Sequence, residues 1–197
     1  MGKEKSKFLS IIGTLATTTL ALTSLITVWI TINAWHAERE ASRPYFTFQE
    51  TPTVDIKDEL RFEMSWSNVG SHPAVNLRNK VVIFHSSLTE EPVSIVENIL
   101  VNDIPKDTRS NLVITIDKGA IHSSEQNIDP HYILVALNYG DPIINKEFEQ
   151  TIYLRWDGVI NGKLQPFYNI EMREKQQILN YLKKYNINLN MAGERQQ

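Results

Sequence analysis

From Phe8 to Ala34 the chain reads FLSIIGTLATTTLALTSLITVWITINA, 27 residues without a charge. As a helix rising 1.5 Å per residue it would be roughly 40 Å long, enough to cross a hydrocarbon core of about 30 Å with some tilt. The residues beyond it are polar enough to form a soluble domain. The expected layout is therefore a basic flank over residues 1–7, a transmembrane helix over 8–35 and a separate C-terminal module.

A cleaved signal peptide has a basic start, an apolar core of roughly 7–15 residues and small residues at its cleavage site. Lys3, Lys5 and Lys7 supply the basic start, but the core is too long. It ends in Asn33-Ala34-Trp35-His36-Ala37, where a large indole falls close to any cleavage after Ala37. The segment reads as an uncleaved signal-anchor, with Trp29 and Trp35 suited to an interfacial position. Three lysines precede it, against Arg39 and Arg43 just after it. The positive-inside rule then places the N-terminus in the cytoplasm and the C-terminal domain outside.

The anchor is rich in hydroxyls, among them Thr17, Thr18, Thr19, Thr23, Ser24, Thr27 and Thr31. Such side chains bond back to the carbonyls of their own helix at little cost. Gly13, Thr17, Ala21 and Ser24 also lie at steps of four, four and three. They form one face of small residues on which two helices can approach closely, which makes self-association a candidate role.

Removing the anchor and its flank leaves about 155 residues, the size of one domain with one core. Of the 197 residues, 42% are hydrophobic and 22% charged, ordinary globular proportions that argue against a disordered or polytopic chain. The net charge is −3, and residues 1–7 carry three lysines against one glutamate, so the remainder stands at −5. A domain of that sign gains nothing from displacing counterions on phosphates, and nucleic acid is not an expected partner. The absence of cysteine excludes disulfides and thiol chemistry.

Residues 36–44 form a short charged connector that continues the helix by a turn or two, until Pro44 bars the preceding residue from helical geometry. The period then changes to two. Residues 60–67 alternate large apolar with polar side chains, and further extended runs cover residues 45–48, 75–84, 93–99, 111–116, 132–137 and 147–156. A break or bulge is expected near Asn79, and turns at Asn68–Pro73 and Asn138–Pro142. About seven short strands with no helical period between them predict an antiparallel β-sandwich, immunoglobulin-like, over residues 45–168. Asn161-Gly162 suggests a small extra hairpin. An amphipathic helix is expected over 169–187, with Met172, Ile178, Leu179, Leu182 and Tyr185 as its apolar stripe, packed on the sandwich edge or turned to a partner. Residues 188–197 read as a flexible tail.

Chemistry is sparse. No two of His36, His72, His85, His122 and His131 stand at helical or hairpin metal-site spacing, and no phosphate loop or nucleophile elbow appears. The expectation is no enzyme, no cofactor and no metal. Trp66 and Trp156 fall on the apolar phase of their strands and belong to the core. Tyr153 and Arg155 lie on the opposite phase and are interface candidates, because exposed Tyr and Arg anchor protein contacts.

Arg43-Pro44-Tyr45-Phe46 and Asn68-Val69-Gly70-Ser71-His72-Pro73-Ala74 carry a resemblance to a loose set of uncharacterised bacterial single-span membrane proteins with a C-terminal β-sandwich. It extends from Phe8 to about Trp156 and implies no activity. The leading functional expectation is a membrane-anchored interaction module, presenting a sandwich close to the bilayer for a protein partner. The alternative is an envelope-polymer or small-ligand binder using loops at one end of the sandwich, with an enzyme third.

Overall fold

The computed structural model describes residues 2–191 apart from 58, 101, 118, 120, 122 and 125. The chain divides into two units, Met1–Ser42 and Arg43–Gln197. His122 and residues 192–197 of the expected tail lie outside the described residues.

The first unit is a single helix, α1 (Gly2–Ala41), which runs unbroken through most of the charged connector. Its last turn closes with Ser42 N–H on Glu38 O at 3.0 Å, and Pro44 stops it as expected. The stretch Gly13–Ala41 is long and apolar enough to cross a membrane, and its large apolar side chains are exposed. The hydroxyls turn inward on the backbone. Thr17 Oγ1 donates to Gly13 O at 2.9 Å, and Thr18, Thr19, Ser24, Thr27 and Thr31 each make the same bond four residues back. Gly13, Thr17, Ala21 and Ser24 are all exposed.

The second unit holds thirteen strands among its described residues, every pairing antiparallel, and one helix. β3 (Leu60–Asn68) is the centre of the first sheet. β6 (Arg109–Ile116) pairs with it from Leu60↔Ile116 to Ser67↔Arg109. A strand has only two edges, so β1 (Phe46–Phe48) and β2 (Thr53–Asp55) share the other, opposite Trp66–Asn68 and Arg61–Glu63. The second sheet runs β13 (Phe167–Asn169), β10 (Lys146–Trp156), β9 (His131–Asp141), β4 (Val75–His85), β5 (Ser94–Ile99). A small third sheet joins β7 (Ser123–Ser124), β8 (Asn127–Ile128), β11 (Val159–Ile160) and β12 (Lys163–Leu164). The hairpin between β11 and β12 turns on Asn161 and Gly162, both at positive φ, as the Asn-Gly pair predicts.

Period-two patterning decides where the core lies. Leu60, Phe62, Met64 and Trp66 are buried, while Arg61 and Glu63 between them are exposed. They meet Val81, Ile83, Ile133, Val135, Leu137 and Trp156 of the second sheet in one apolar cluster. β4 and β9 carry continuous apolar runs because they are buried on both faces. Their other face presents Val82, Phe84, Tyr132 and Leu134 to α2 (Met172–Lys184), which covers it with Ile178, Tyr181 and Leu182.

The structure corrects several boundaries. Asn138–Asp141 is strand, not turn, because Asp141 and Gly140 pair with Lys146 and Glu147; the reversal falls on Pro142–Asn145. The irregularity in β4 lies between Val75 and Arg78, where Asn76 has φ 54°, and not at Asn79. Met172 and Leu179 are not part of the buried stripe of α2. They are 81% and 41% exposed, and Tyr181 takes the place beside Ile178 and Leu182. After α2, Ile187 and Leu189 pack against the same cluster, so the chain remains seated beyond the helix.

Candidate functional site

The segment Arg43–Phe48 enters the second unit along the outer edge of β3 and is fastened within a few residues. Asn68, fully buried, uses its side chain four ways. Its Oδ1 accepts Tyr45 N–H (3.1 Å) and Gly70 N–H (3.0 Å), and its Nδ2 donates to His72 O (2.8 Å) and Ile104 O (3.2 Å). Gly70 lies against the segment so closely that an added Cβ would sit 2.1 Å from Arg43 O, a place only glycine fills. From β9, Tyr139 donates its hydroxyl to Pro44 O at 3.1 Å, and Arg43 rests 5.1 Å from the centre of the Phe148 ring. Burial pushes the Tyr139 phenol up to about 12.

Gln150 of β10 completes the seat. Its Oε1 accepts Phe46 N–H at 3.1 Å and its Nε2 donates to Phe46 O at 2.6 Å. Ladder geometry explains why Phe46 has both groups to offer. Val69 N–H bonds to Tyr45 O and Gln49 N–H to Ser65 O, so the odd-numbered residues here point their peptide groups at β3. Phe46 and Phe48 therefore point theirs away.

At Phe48 the neighbour is a recess of about 310 Å³, bounded by the 48–52 segment on one side and β13 on the other, with Leu154 also lining it. The same alternation applies to β13. Asp157 N–H bonds to Pro166 O, so Tyr168 turns its peptide groups toward β10 while Phe167 and Asn169 turn theirs outward. The recess continues in both directions. Glu50 and Thr51 also line a recess of about 530 Å³ over Arg61, Glu63, Arg109 and Asn111 on the outer face of the first sheet. Tyr168 and Asn169 also line one of about 280 Å³ beside Arg155 and Glu174. The three hollows are thus neighbours along a furrow, each sharing lining residues with the next, and the half-exposed Tyr168 borders two of them.

Tyr153 and Arg155, the interface candidates, are half-buried and both contact α2. Lys175 Nζ lies 5.0 Å from the centre of the Tyr153 ring, and Tyr153 packs against the second cluster. Arg155 donates Nε–H to Asp157 Oδ1 at 2.7 Å and Nη1–H to Glu174 Oε1 at 3.1 Å. Glu174 also accepts from Tyr132 Oη (3.0 Å) and, through Oε2, from Glu171 N–H (2.9 Å), closing a capping box. That backbone bond, with Arg155 and Tyr132, holds its carboxyl below the usual range despite partial burial. Burial and the neighbouring Glu174 push the Tyr132 phenol up to about 12. At the other end of α2, Tyr181 and Tyr185 donate their hydroxyls to Glu90 O (2.8 Å) and Thr89 O (2.6 Å).

Two histidine contacts escape sequence spacing because they are made by distant strands. His85 and His131 are direct partners across β4 and β9, both buried, with ring centres 4.4 Å apart. His72 Nδ1 lies 2.7 Å from Asp141 Oδ2, and Asp141 Oδ1 accepts Ile143 N–H at 2.8 Å, which ties the turn after β3 to the β9–β10 reversal. Among the described residues no group of three or more His, Asp or Glu side chains is placed to hold a metal. The furrow is equally hidden from the sequence. Its only signal there is Phe167-Tyr168, a pair of strand-forming aromatics after Pro166.

No protein-family model and no curated protein matches the chain. Among solved structures it is similar to the Northeast Structural Genomics Consortium target SoR45 (12% identity, TM-score 0.36), covering 67% of this chain and 96% of that one. It is also similar to β-glucosidase 3B from Thermotoga neapolitana in complex with α-D-glucose (14% identity, TM-score 0.32), covering 64% of this chain and 17% of the enzyme. A Bifidobacterium adolescentis GH3 β-glucosidase matches at 13% identity and TM-score 0.30, over 66% and 19% of the two chains. This chain therefore spans less than a fifth of either glucosidase, and likenesses at these scores bear neither on its fold nor on its activity.

Proposed function

We propose that the chain is a single-pass membrane protein that holds an immunoglobulin-like β-sandwich close to the bilayer as a non-enzymatic interaction module for a protein partner. In this reading α1 is an uncleaved signal-anchor, the N-terminus is cytoplasmic and the sandwich faces outward. The observation that carries it is α1 itself. It exposes an apolar surface over a membrane's thickness, and its hydroxyls bond to its own carbonyls, leaving few polar groups that lipid would fail to satisfy. Two sheets that share one apolar cluster support the sandwich.

The test is protease access in intact cells, spheroplasts and inverted vesicles, followed by alkaline extraction. Digestion of residues 43–197 from the outside, with α1 retained in the pellet, is the expected result. Release of the protein by alkali, or a mature N-terminus after residue 37, overturns the anchor. Protection of the domain until vesicles are inverted reverses the topology. The polar hollow over Arg61, Glu63 and Asn111 favours a second reading, an envelope-polymer or small-ligand binder.

A further inference from the structure

The furrow is best defined where β1 faces β13. Phe48 on one wall, and Phe167 and Asn169 on the other, turn their peptide N–H and C=O groups toward the recess rather than into a ladder. Neighbouring outward positions along a strand are two residues apart, roughly 6.6 Å, so the wall formed by Phe167 and Asn169 repeats at the spacing of an extended chain, with Phe48 facing it from β1. One outward position earlier on β1, the same pair of groups at Phe46 is already satisfied, and by an amide. Gln150 presents a donor and an acceptor from a single planar group, as a peptide would. The half-buried Phe48 and Phe167, with Leu154 beneath, supply an apolar floor. At the mouth Glu50 stands 3.5 Å from Arg109, so the charges there offset each other.

From this we infer that the recess between β1 and β13 is a strand-acceptor slot for an extended, uncharged segment of a protein partner. The segment bonds its main chain to Phe48 on one side and to Phe167 or Asn169 on the other. Alternate apolar side chains enter the floor between Phe48, Leu154 and Phe167. This is recognition by strand addition, in which peptide groups supply affinity and side-chain pockets supply selectivity. A sugar chain has no matching repeat of paired donors and acceptors. The inference rests on the interaction-module reading and gives that module its site and the chemistry of its ligand.

The experiment uses the full chain, isotope-labelled in detergent micelles. The probe is a pool of neutral heptapeptides of pattern Thr-X-Thr-X-Thr-X-Thr, where X is Val, Ile, Leu or Phe. Saturating peptide is expected to slow hydrogen exchange at the Phe48 and Asn169 amides at least tenfold. The same pool methylated on the peptide nitrogens of X is expected to leave exchange unchanged. Asn169→Pro removes one outward N–H and keeps the bonds of Tyr168 to β10; it should weaken binding about 3- to 10-fold. Thr51→Trp, on the exposed rim, fills the recess without touching the core and should abolish binding. Unchanged exchange at both amides overturns the slot. So does protection by cellohexaose in place of peptide, which assigns the furrow to saccharide, or concentration-dependent protection without peptide, which assigns it to a second copy. A protein partner captured with the recess amides unprotected overturns the slot alone and leaves the interaction module standing.

Discussion

α1 and α2 are helices of opposite habit. In α1 the residues Leu15, Leu20, Leu25, Val28, Ile30 and Trp35 are all exposed, on every side of the helix. In α2 Ile178, Tyr181 and Leu182 are buried in one stripe, and the charged residues Arg173, Lys183 and Lys184 face away from it. The polar atoms differ in the same way. Hydroxyls of α1 bond to their own backbone four residues back, whereas Glu174, Tyr181 and Tyr185 of α2 and its C-cap reach across to β9, β10 and the 89–90 loop. One helix is self-sufficient in hydrogen bonds and unsatisfied in apolar surface. The other is unsatisfied in both until it docks. The first is what lipid requires, and the second is what a sheet face requires.

The contrast breaks most sharply in a pair of truncations. Ile178→Ala removes a fully buried side chain and should cost the second unit about 2–5 kcal/mol in denaturant unfolding. Leu25→Ala in α1 should leave that transition within about 0.5 kcal/mol. Equal losses would mean that α1 belongs to the domain's core. A smaller effect is expected where the chain passes from one helix to the domain. Gly70→Ala forces a methyl against Arg43 O and should cost about 1–3 kcal/mol, read in the same way; a neutral outcome would show that the seat of residues 43–48 gives way freely.

The docking of α2 is also acid-sensitive. The Glu174 carboxyl is held below its unfolded value, so its contribution is fully present above the ordinary glutamate range near pH 4.3. It is lost as pH falls through the depressed folded value. Thermal melts between pH 3 and 7 should show this loss in the parent and a flatter profile in Glu174→Ala, which at neutral pH is less stable by about 1 kcal/mol. Profiles of equal slope would remove Glu174 as the clasp. The smallest effect is expected in α1. Thr17→Val and Thr27→Val delete bonds that the helix makes only to itself, and helicity in micelles measured by circular dichroism should not change.

Much of the domain is legible from residue pattern. Alternation over residues 60–67 locates β3 and its buried face, and Trp66 and Trp156 are in the core where their phase places them. Pro44 marks the end of α1, and Asn161-Gly162 marks a hairpin. The errors share a cause. Asn138–Asp141 has turn composition but lies in β9, since pairing with β10 and the burial of Tyr139 outweigh local preference. The contacts of Tyr153 and Arg155 with α2 are a separate matter, since nothing in β10 announces where a helix about twenty residues later will dock. Spacing alone draws Met172 and Leu179 into the amphipathic stripe of α2, where the true contact face is rotated toward Tyr181.

By itself the sequence determined the division of this protein: an uncharged apolar run long enough to cross a membrane as one helix, then period-two patterning that points the remainder to antiparallel strands. Those signals are local, because length and periodicity reside in consecutive residues. Only the tertiary structure decided which strand edges stay open. Phe46 and Phe48 are the same residue two positions apart on one strand, yet Gln150, 104 positions after the first, satisfies that one and leaves the second facing a recess. A peptide group's partner is chosen by strand register across the fold, and register is not carried by any single stretch of chain.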